Sequence, residues 1–247
     1  MMRKVVILNS GTGSRMGSLT ADKPKCLVEI SQEDTILTRQ IRALLSCGLD
    51  DILITTGPFE DKIKEHLTGK FSDAKISYVN NPRYKDTNYI YSLLLAGDMI
   101  SENFILMHGD LVFDRAVLEK LLVSNHSNAV LVNPYIELPE KDFKAELKND
   151  RVKRIGIDIF SEGSVFLVPI YKLTQATFSA WLEEIKSFAD KGELKVYAEN
   201  ALNNLLGDLT LHPVEYNEEF CTEIDDLEDL FKVRSYLAGN YNPGGIN

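Results

Sequence analysis

The sequence predicts an α/β protein: a Rossmann-like, mixed and mostly parallel sheet flanked by helices, with a small antiparallel addition in its second half. Three observations predict it. Short apolar runs alternate with helix-period segments over residues 1–125, the pattern of strands buried between covering helices. The first apolar run leads into the Gly-rich stretch Gly11-Thr12-Gly13-Ser14-Arg15, and sites in such sheets form beyond the carboxyl ends of the strands. After residue 126, apolar runs are separated by polar turns such as Lys148-Asn149-Asp150, as antiparallel strands require.

Residues 5–8 are four consecutive apolar residues and give the first strand. A helix follows over 36–46, with Ile36, Leu37, Ile41, Leu44 and Leu45 on helical spacing. Gly48 ends it as a C-terminal cap. Residues 52–54 form the second strand, 59–67 a short helix and 76–79 the third strand. Residues 90–99 read as helix, 104–107 as the fourth strand and 115–123 as helix. Strands are expected at 129–132, 143–147, 152–159 and 165–168. A long amphipathic helix over 173–189 carries the only Trp, Trp181, on its core face, and a further helix spans 196–206. Late strands at 209–214 and 220–224 precede a last helix over 227–237. Residues 239–247 are rich in Gly, Asn and Pro and read as a flexible tail.

Composition excludes several classes. The 247 residues carry 27 Lys and Arg against 37 Asp and Glu, a net charge of −10, which argues against a nucleic-acid partner. The three cysteines, Cys26, Cys47 and Cys221, have no C-x-x-C spacing, so neither a disulfide framework nor a zinc site is expected. No stretch reaches the roughly 20 apolar residues of a membrane span, and the opening run is too short for a signal peptide. A cytoplasmic protein without membrane insertion follows as the expectation.

Chemistry begins at Leu8-Asn9-Ser10-Gly11-Thr12-Gly13-Ser14-Arg15, with Lys25 close behind. Glycines let the backbone approach an anion, and Arg15 and Lys25 meet its charge. Met16 stands where a dinucleotide fingerprint needs its third Gly, and no Walker-type G-x-x-x-x-G-K run occurs. The bland alternative is a tight strand-to-helix turn with surface cations. Gly109-Asp110 follows the fourth strand. A carboxylate there suits Mg²⁺, which takes one or two carboxylates and fills its shell from water and phosphate; a simple turn Asp is the alternative. Asp114, Asp226, Glu228 and Asp229 read better as helix-start residues. Glu223 and Asp225 would share one face of a strand. Thr87 or Asn88 can cap the helix that follows, leaving N–H groups free for an anion.

The composite G-x-G-x-R-M with a following K-P-K resembles the nucleotidyltransferases that make sugar nucleotides and CDP-alcohols. Asn9 and Ser10 replace the two alanines usual there. Asn81-x-x-Tyr84-x-x-x-Asn88-x-x-x-Ser92-Leu93 is similar to the CTP:phosphocholine cytidylyltransferase branch, and less closely to inositol-phosphate cytidylyltransferases. The resemblance implies the nucleotide-diphospho-sugar transferase fold, in one domain over 1–238 with a nucleotide-binding half (1–125) and an acceptor-binding half (126–238). It implies Lys25, Arg15, Asp110 and Asp225 as catalytic residues, with Mg²⁺ on Asp110 and Asp225. Glu223 is the weaker candidate, and His108 departs from the family's D-x-D. Nucleotide contacts are implied at Leu8, Asn9, Ser10, Gly11, Thr12, Gly13, Ser14, Thr56, Asn81, Tyr84, Asn88, Ser92 and Gly109. The implied partners are CTP and phosphocholine, phosphoethanolamine or 2-aminoethylphosphonate, with pyrophosphate released; a homodimer is compatible. Phe143, with Asp142 and Glu146 nearby, is the candidate acceptor wall, Tyr135 and Phe166 the others. The rival functions are a sugar-1-phosphate nucleotidyltransferase using UTP or dTTP and a non-catalytic nucleotide-binding regulator.

Overall fold

The computed structural model describes residues 2–239. In chain order the elements are β1 (Lys4–Leu8), α1 (Ile36–Ser46), β2 (Asp51–Thr56), α2 (Glu60–Leu67), β3 (Lys75–Asn80), α3 (Tyr89–Ala96), β4 (Phe104–His108), β5 (Leu111–Phe113), α4 (Arg115–Val123) and β6 (Ala129–Asn133). They continue as β7 (Lys144–Leu147), β8 (Val152–Gly156), β9 (Ser164–Leu173), α5 (Gln175–Asp190), α6 (Ala198–Asn203), β10 (His212–Glu215), β11 (Cys221–Glu223) and α7 (Leu227–Leu237).

The main sheet runs in the order β10-β6-β9-β4-β1-β2-β3. β4, β1, β2 and β3 are parallel, as is β10 beside β6. β9 enters antiparallel between β4 and β6, and the β7–β8 hairpin branches from it. The fold is the mixed, mostly parallel sheet with a small antiparallel addition that the sequence predicts. Alternate residues of each strand feed opposite faces. Val6, Leu8, Leu53 and Leu106 pack with α3, α5 and α6, around Trp181. Val5, Ile7, Ile52, Ile54 and Met107 pack with α1, α2 and α4. Gly48, with φ 77°, closes α1: its N–H and that of Leu49 donate to the Leu45 and Leu44 carbonyls. That pair of bonds satisfies orphan carbonyls and needs a left-handed residue at Gly48.

A third, smaller core matters most for the site. Met16, Val28, Ile30 and Ile36 pack there with Val112, Phe220, Ile224, Leu230 and Val233. It clamps the segment after the Gly-rich loop against α7 and the two-stranded ladder of β5 and β11. Burying a side chain such as Met16 stabilises by about 1.5–3 kcal/mol.

Several elements differ from expectation. β5 was not expected: three residues between two turns carry too little periodicity to register. β9 runs ten residues rather than four, continuing through Pro169, a residue that strand interiors seldom tolerate. The ladder to β6 instead skips a register step between Val130 and Leu131, and Pro169 falls in that irregularity. The helix expected to 99 changes to a short 3-10 turn at Gly97–Met99. Apart from Gly239, the expected tail lies outside the described residues.

Candidate active site

β1 brings the Gly-rich segment to the carboxyl edge of the sheet. The Asn9 N–H donates to the Thr55 carbonyl (3.2 Å) and to Thr55 Oγ1 (3.0 Å), tying the loop to β2. A buried chain of polar groups runs behind it. Asn81 Nδ2 donates to Ser92 Oγ (3.0 Å), Ser92 Oγ to Ser10 Oγ (2.8 Å), and Ser10 Oγ to Thr55 Oγ1 (2.9 Å). Satisfied networks of this kind fix one geometry, because a broken member leaves a buried group unpaired. The loop then turns at Gly13, where φ is 69° and an added Cβ would stand 2.7 Å from Lys25 Cβ. Only Gly tolerates both conditions, and the close approach places Lys25 beneath the loop. Gly109 performs the same service on the other side: a Cβ there would meet Asn9 Oδ1 at 1.9 Å.

The loop faces a cleft of about 410 Å³. Lys25 Nζ donates to Asp110 Oδ2 (2.7 Å) and to Asp225 Oδ1 (2.9 Å), and Arg15 Nη2 reaches the same Asp225 oxygen at 2.8 Å. Asp225 is held in turn, since its N–H donates to Asp229 Oδ2 at 2.9 Å. Burial lowers the Lys25 pKa, but Asp110 and Asp225 outweigh it and keep the ammonium above its ordinary value. Burial pushes Asp110 up, and Lys25 more than reverses this, leaving the carboxyl below the usual range. For Glu223 the pull of Lys25 is outweighed: burial, then the charges of Asp110, Asp142 and Asp225, drive it well above.

Asp110, Glu223 and Asp225 each offer an oxygen within 4.8 Å of the others. Asp110 Oδ1 and Glu223 Oε1 are buried with no hydrogen-bond partner among the described residues. Unpaired buried carboxylate oxygens are costly, and an all-oxygen set with two such atoms fits a hard divalent cation. Glu223, the weaker candidate from sequence, therefore belongs to this acidic group.

An aromatic wall lies opposite. His108 packs against Tyr89 (centroids 4.7 Å) and Phe143 (6.1 Å), and Tyr197 against Phe143 (5.0 Å) and Tyr89 (6.0 Å). The Tyr89 hydroxyl donates to Glu199, which also accepts from Tyr171 at 2.9 Å. Asp142 stands at the edge of this wall, its carboxyl raised by burial and by the charges of Asp225, Asp229 and Asp110.

Most of the expected residues line the cleft: Leu8, Asn9, Ser10, Gly11, Gly13, Ser14, Arg15, Lys25, Asn81, Tyr84, Asn88, Ser92, Gly109, Asp110 and Asp225. Asn88 rather than Thr87 caps α3, its side chain accepting from the Tyr89 N–H at 2.7 Å. Thr12 is in the loop but not on the cleft surface. Thr56 is fully buried and turned away, bonded to Glu60 and to the Val79 carbonyl. Among the acceptor candidates only Phe143 and Asp142 line the cleft. Glu146 lies along the β7–β8 ladder opposite Arg154, Phe166 is in the sheet core, and exposed Tyr135 bonds to Glu215. Asp114 stands at the start of α4 but does not cap it; its Oδ2 accepts from the Phe220 N–H and the Tyr236 hydroxyl. Asp226 does cap α7, with Asp229 completing a capping box. Lys141 and Tyr197 were not foreseen, because neither sits in a motif and only the tertiary fold brings them to the cleft.

Residues 5–238 match the family described as the MobA-like NTP transferase domain, and the chain belongs to it. It is 25% identical over 242 residues to choline-phosphate cytidylyltransferase of Streptococcus pneumoniae, covering 95% of this chain and 98% of that protein. It is 32% identical over 127 residues to CMP-5'-(3-aminopropyl)phosphonate synthase of Streptomyces rubellomurinus, covering 51% of this chain and 20% of that protein. The chain spans about half the length, or less, of several curated relatives it matches. The inositol-1-phosphate CTP transferase from T. maritima has the same fold, with TM-score 0.80 and 21% identity across 100% of this chain and 98% of that one. The relatives are named as cytidylyltransferases and other nucleotidyltransferases. No helix among the described residues is long and apolar enough to cross a membrane.

Proposed function

We propose that the protein is a cytidylyltransferase joining CTP to a phosphocholine-like phosphate or phosphonate monoester, with release of pyrophosphate. The observation that carries this reading is the meeting, in one cleft, of the Gly11–Arg15 loop, Lys25 and the Asp110–Glu223–Asp225 group. An acceptor oxygen attacks the α-phosphorus in line, and the bond from that phosphorus to the pyrophosphate oxygen breaks. The acceptor is already anionic near neutral pH, so no general base is required. The obstacle is repulsion: two unit charges at about 4 Å oppose each other by roughly 4 kcal/mol at an effective dielectric near 20.

The chain's residues meet that obstacle by position and charge. Gly11 to Ser14 present backbone N–H groups, and Arg15 a guanidinium, to the β- and γ-phosphates. Lys25 exchanges its carboxylate partners for oxygens of the α-phosphate and the acceptor. Asp110 and Asp225, with Glu223, would hold Mg²⁺, which supplies charge neutralisation between the two anions when bound. Asn9, Ser10, Asn81, Tyr84, Asn88 and Ser92 form the nucleoside side. Asp142, Phe143 and Tyr197 suit a cationic head group, which gains from an aromatic face with a carboxylate beside it. Such acceptors agree with relatives named for choline phosphate and aminopropylphosphonate. Three free thiols fit a reducing, cytoplasmic setting.

Pyrophosphate release measured for CTP, UTP, dTTP and GTP against phosphocholine, phosphoethanolamine, 2-aminoethylphosphonate and glucose-1-phosphate tests the reading. Turnover with CTP and one of the first three acceptors is expected. Turnover confined to UTP or dTTP with glucose-1-phosphate would replace it with the sugar-nucleotide reading. CTP binding with no turnover of any acceptor would make the protein a nucleotide sensor.

A further inference from the structure

A second set of metal-ligating side chains lies where three separate segments meet. His126 sits between α4 and β6, Asp150 in the turn between β7 and β8, and His212 at the start of β10. None of the three lines the cleft described above. One ligand atom from each falls within 4.8 Å of the other two. The two imidazoles stack, with centroids 3.9 Å apart and planes 15° from parallel. His212 Nδ1 is 3.0 Å from the Asp150 carbonyl oxygen and 3.7 Å from its Oδ2. Neither ring nitrogen of His126 has a hydrogen-bond partner among the described residues, although its backbone N–H donates to Ser124 Oγ at 3.2 Å.

We propose that His126, Asp150 and His212 bind one divalent transition-metal ion of the zinc class. Two imidazoles and a carboxylate form a nitrogen-rich donor set, which selects zinc, cobalt or nickel over magnesium. The set contrasts with the all-oxygen group at Asp110, Glu223 and Asp225. A tetrahedral ion with bonds near 2.0–2.1 Å wants its ligand atoms about 3.4 Å apart. Reaching that spacing requires Asp150, exposed in its turn, to swing inward and the two stacked rings to splay, because in-plane lone pairs of near-parallel rings do not converge on one ion. The His212 nitrogen that faces the Asp150 carboxylate is Nδ1, which would ligate unprotonated and exchange the Asp150 carbonyl for the ion.

The ion would tie the tip of the β7–β8 hairpin to the sheet edge at β10 and to the α4–β6 connection. Phe143 just before β7 and Ile157 just after β8 both line the cleft, so the staple anchors the hairpin that builds the acceptor wall.

The test uses the full-length protein with Co²⁺ as probe and excess Mg²⁺ to saturate the acidic site. Wild type should bind one Co²⁺ per chain with visible ligand-field absorption. His126→Ala and His212→Ala should abolish that absorption, and the Asp110→Asn/Asp225→Asn double variant should retain it. Asp150→Asn guards against misfolding, because Asp150 is exposed at φ 56°, a conformation Asn also tolerates. It should weaken Co²⁺ binding by about tenfold or more. Zn²⁺ should raise the thermal unfolding midpoint of wild type and leave that of His126→Ala unmoved. Co²⁺ affinity and absorption unchanged in His126→Ala and Asp150→Asn would overturn the proposal. So would a signal lost only when Asp110 and Asp225 are replaced.

Discussion

Lys25 stands between two carboxylates at 2.7 and 2.9 Å, the partners that the proposed reaction asks it to leave. Exchange of those partners for phosphate oxygens is the chemical role argued for it. Asp110→Asn and Asp225→Asn should each lower kcat by about a hundredfold or more while weakening CTP binding much less. Steady-state kinetics beside calorimetric CTP binding checks the split. Lys25→Ala should lose a comparable factor. Asp110 was legible in the sequence because it sits just past a strand end that periodicity locates, and Arg15 and Lys25 because they follow the Gly-rich segment after β1 in one recognisable motif. Glu223 was only half legible. Its register in β11 shows which face it shares, but its closeness to Asp110 depends on β5, a partner strand of three residues. Thr56 misled for a related reason: a strand end marks the right edge of the sheet but not which way a side chain points there.

The elements that hold the site are less stable in isolation than together. α7 carries none of the proposed catalytic residues, yet its first turn accepts the Asp225 N–H through Asp229 and its apolar face closes the small core under the Gly-rich loop. Asp229→Ala should cost about 1 kcal/mol of stability and reduce kcat further than that loss explains, read from unfolding curves and turnover together. On the acceptor side, buried Lys144 donates to the carbonyls of Glu140 (3.2 Å), Asp142 (3.0 Å) and Ile157 (2.6 Å). It joins the segment bearing Asp142 and Phe143 to the end of β8. Lys144→Met leaves three carbonyls without their donor. Acceptor KM should rise while CTP affinity stays near wild type, a split that initial-rate kinetics with each substrate varied resolves. Helices with strong apolar periods, such as α1 and α5, were legible to within a residue or two. The extent of β9 was not, because a proline inside a sheet is tolerated only at an irregularity that the partner strand creates.

At the scale of the molecule, one sheet edge gathers the loop after β1, the turn after β4 and the aromatic wall, and the proposed anionic substrate would meet local cations there despite the acidic surface. The same surface sets the pH dependence of stability. Burial raises the Asp51 carboxyl, but Lys4 and Lys75 outweigh it and leave it below its ordinary value; Lys64 lowers Glu60, and Lys120 lowers Glu219. Carboxyls depressed in the folded state stabilise it above their unfolded pKa values and lose that contribution as pH falls through the depressed ones. Glu223 and Asp142, raised in the folded state, act in the opposite sense and add stability as pH falls; the thermal midpoint should therefore not fall between neutrality and about pH 5, and should decline below about pH 4 as the depressed carboxyls protonate. Which parts of the second half would meet the first was the least legible feature, since Tyr197 and Lys141 reach the cleft through chain crossings that no local pattern encodes. The most direct test of the whole account is a crystal structure with CTP and Mg²⁺ bound. It should show the triphosphate along Gly11–Arg15, Lys25 moved onto phosphate oxygens, and the ion on Asp110 and Asp225. A nucleotide bound away from that loop, or an ion held without those two carboxylates, would contradict it.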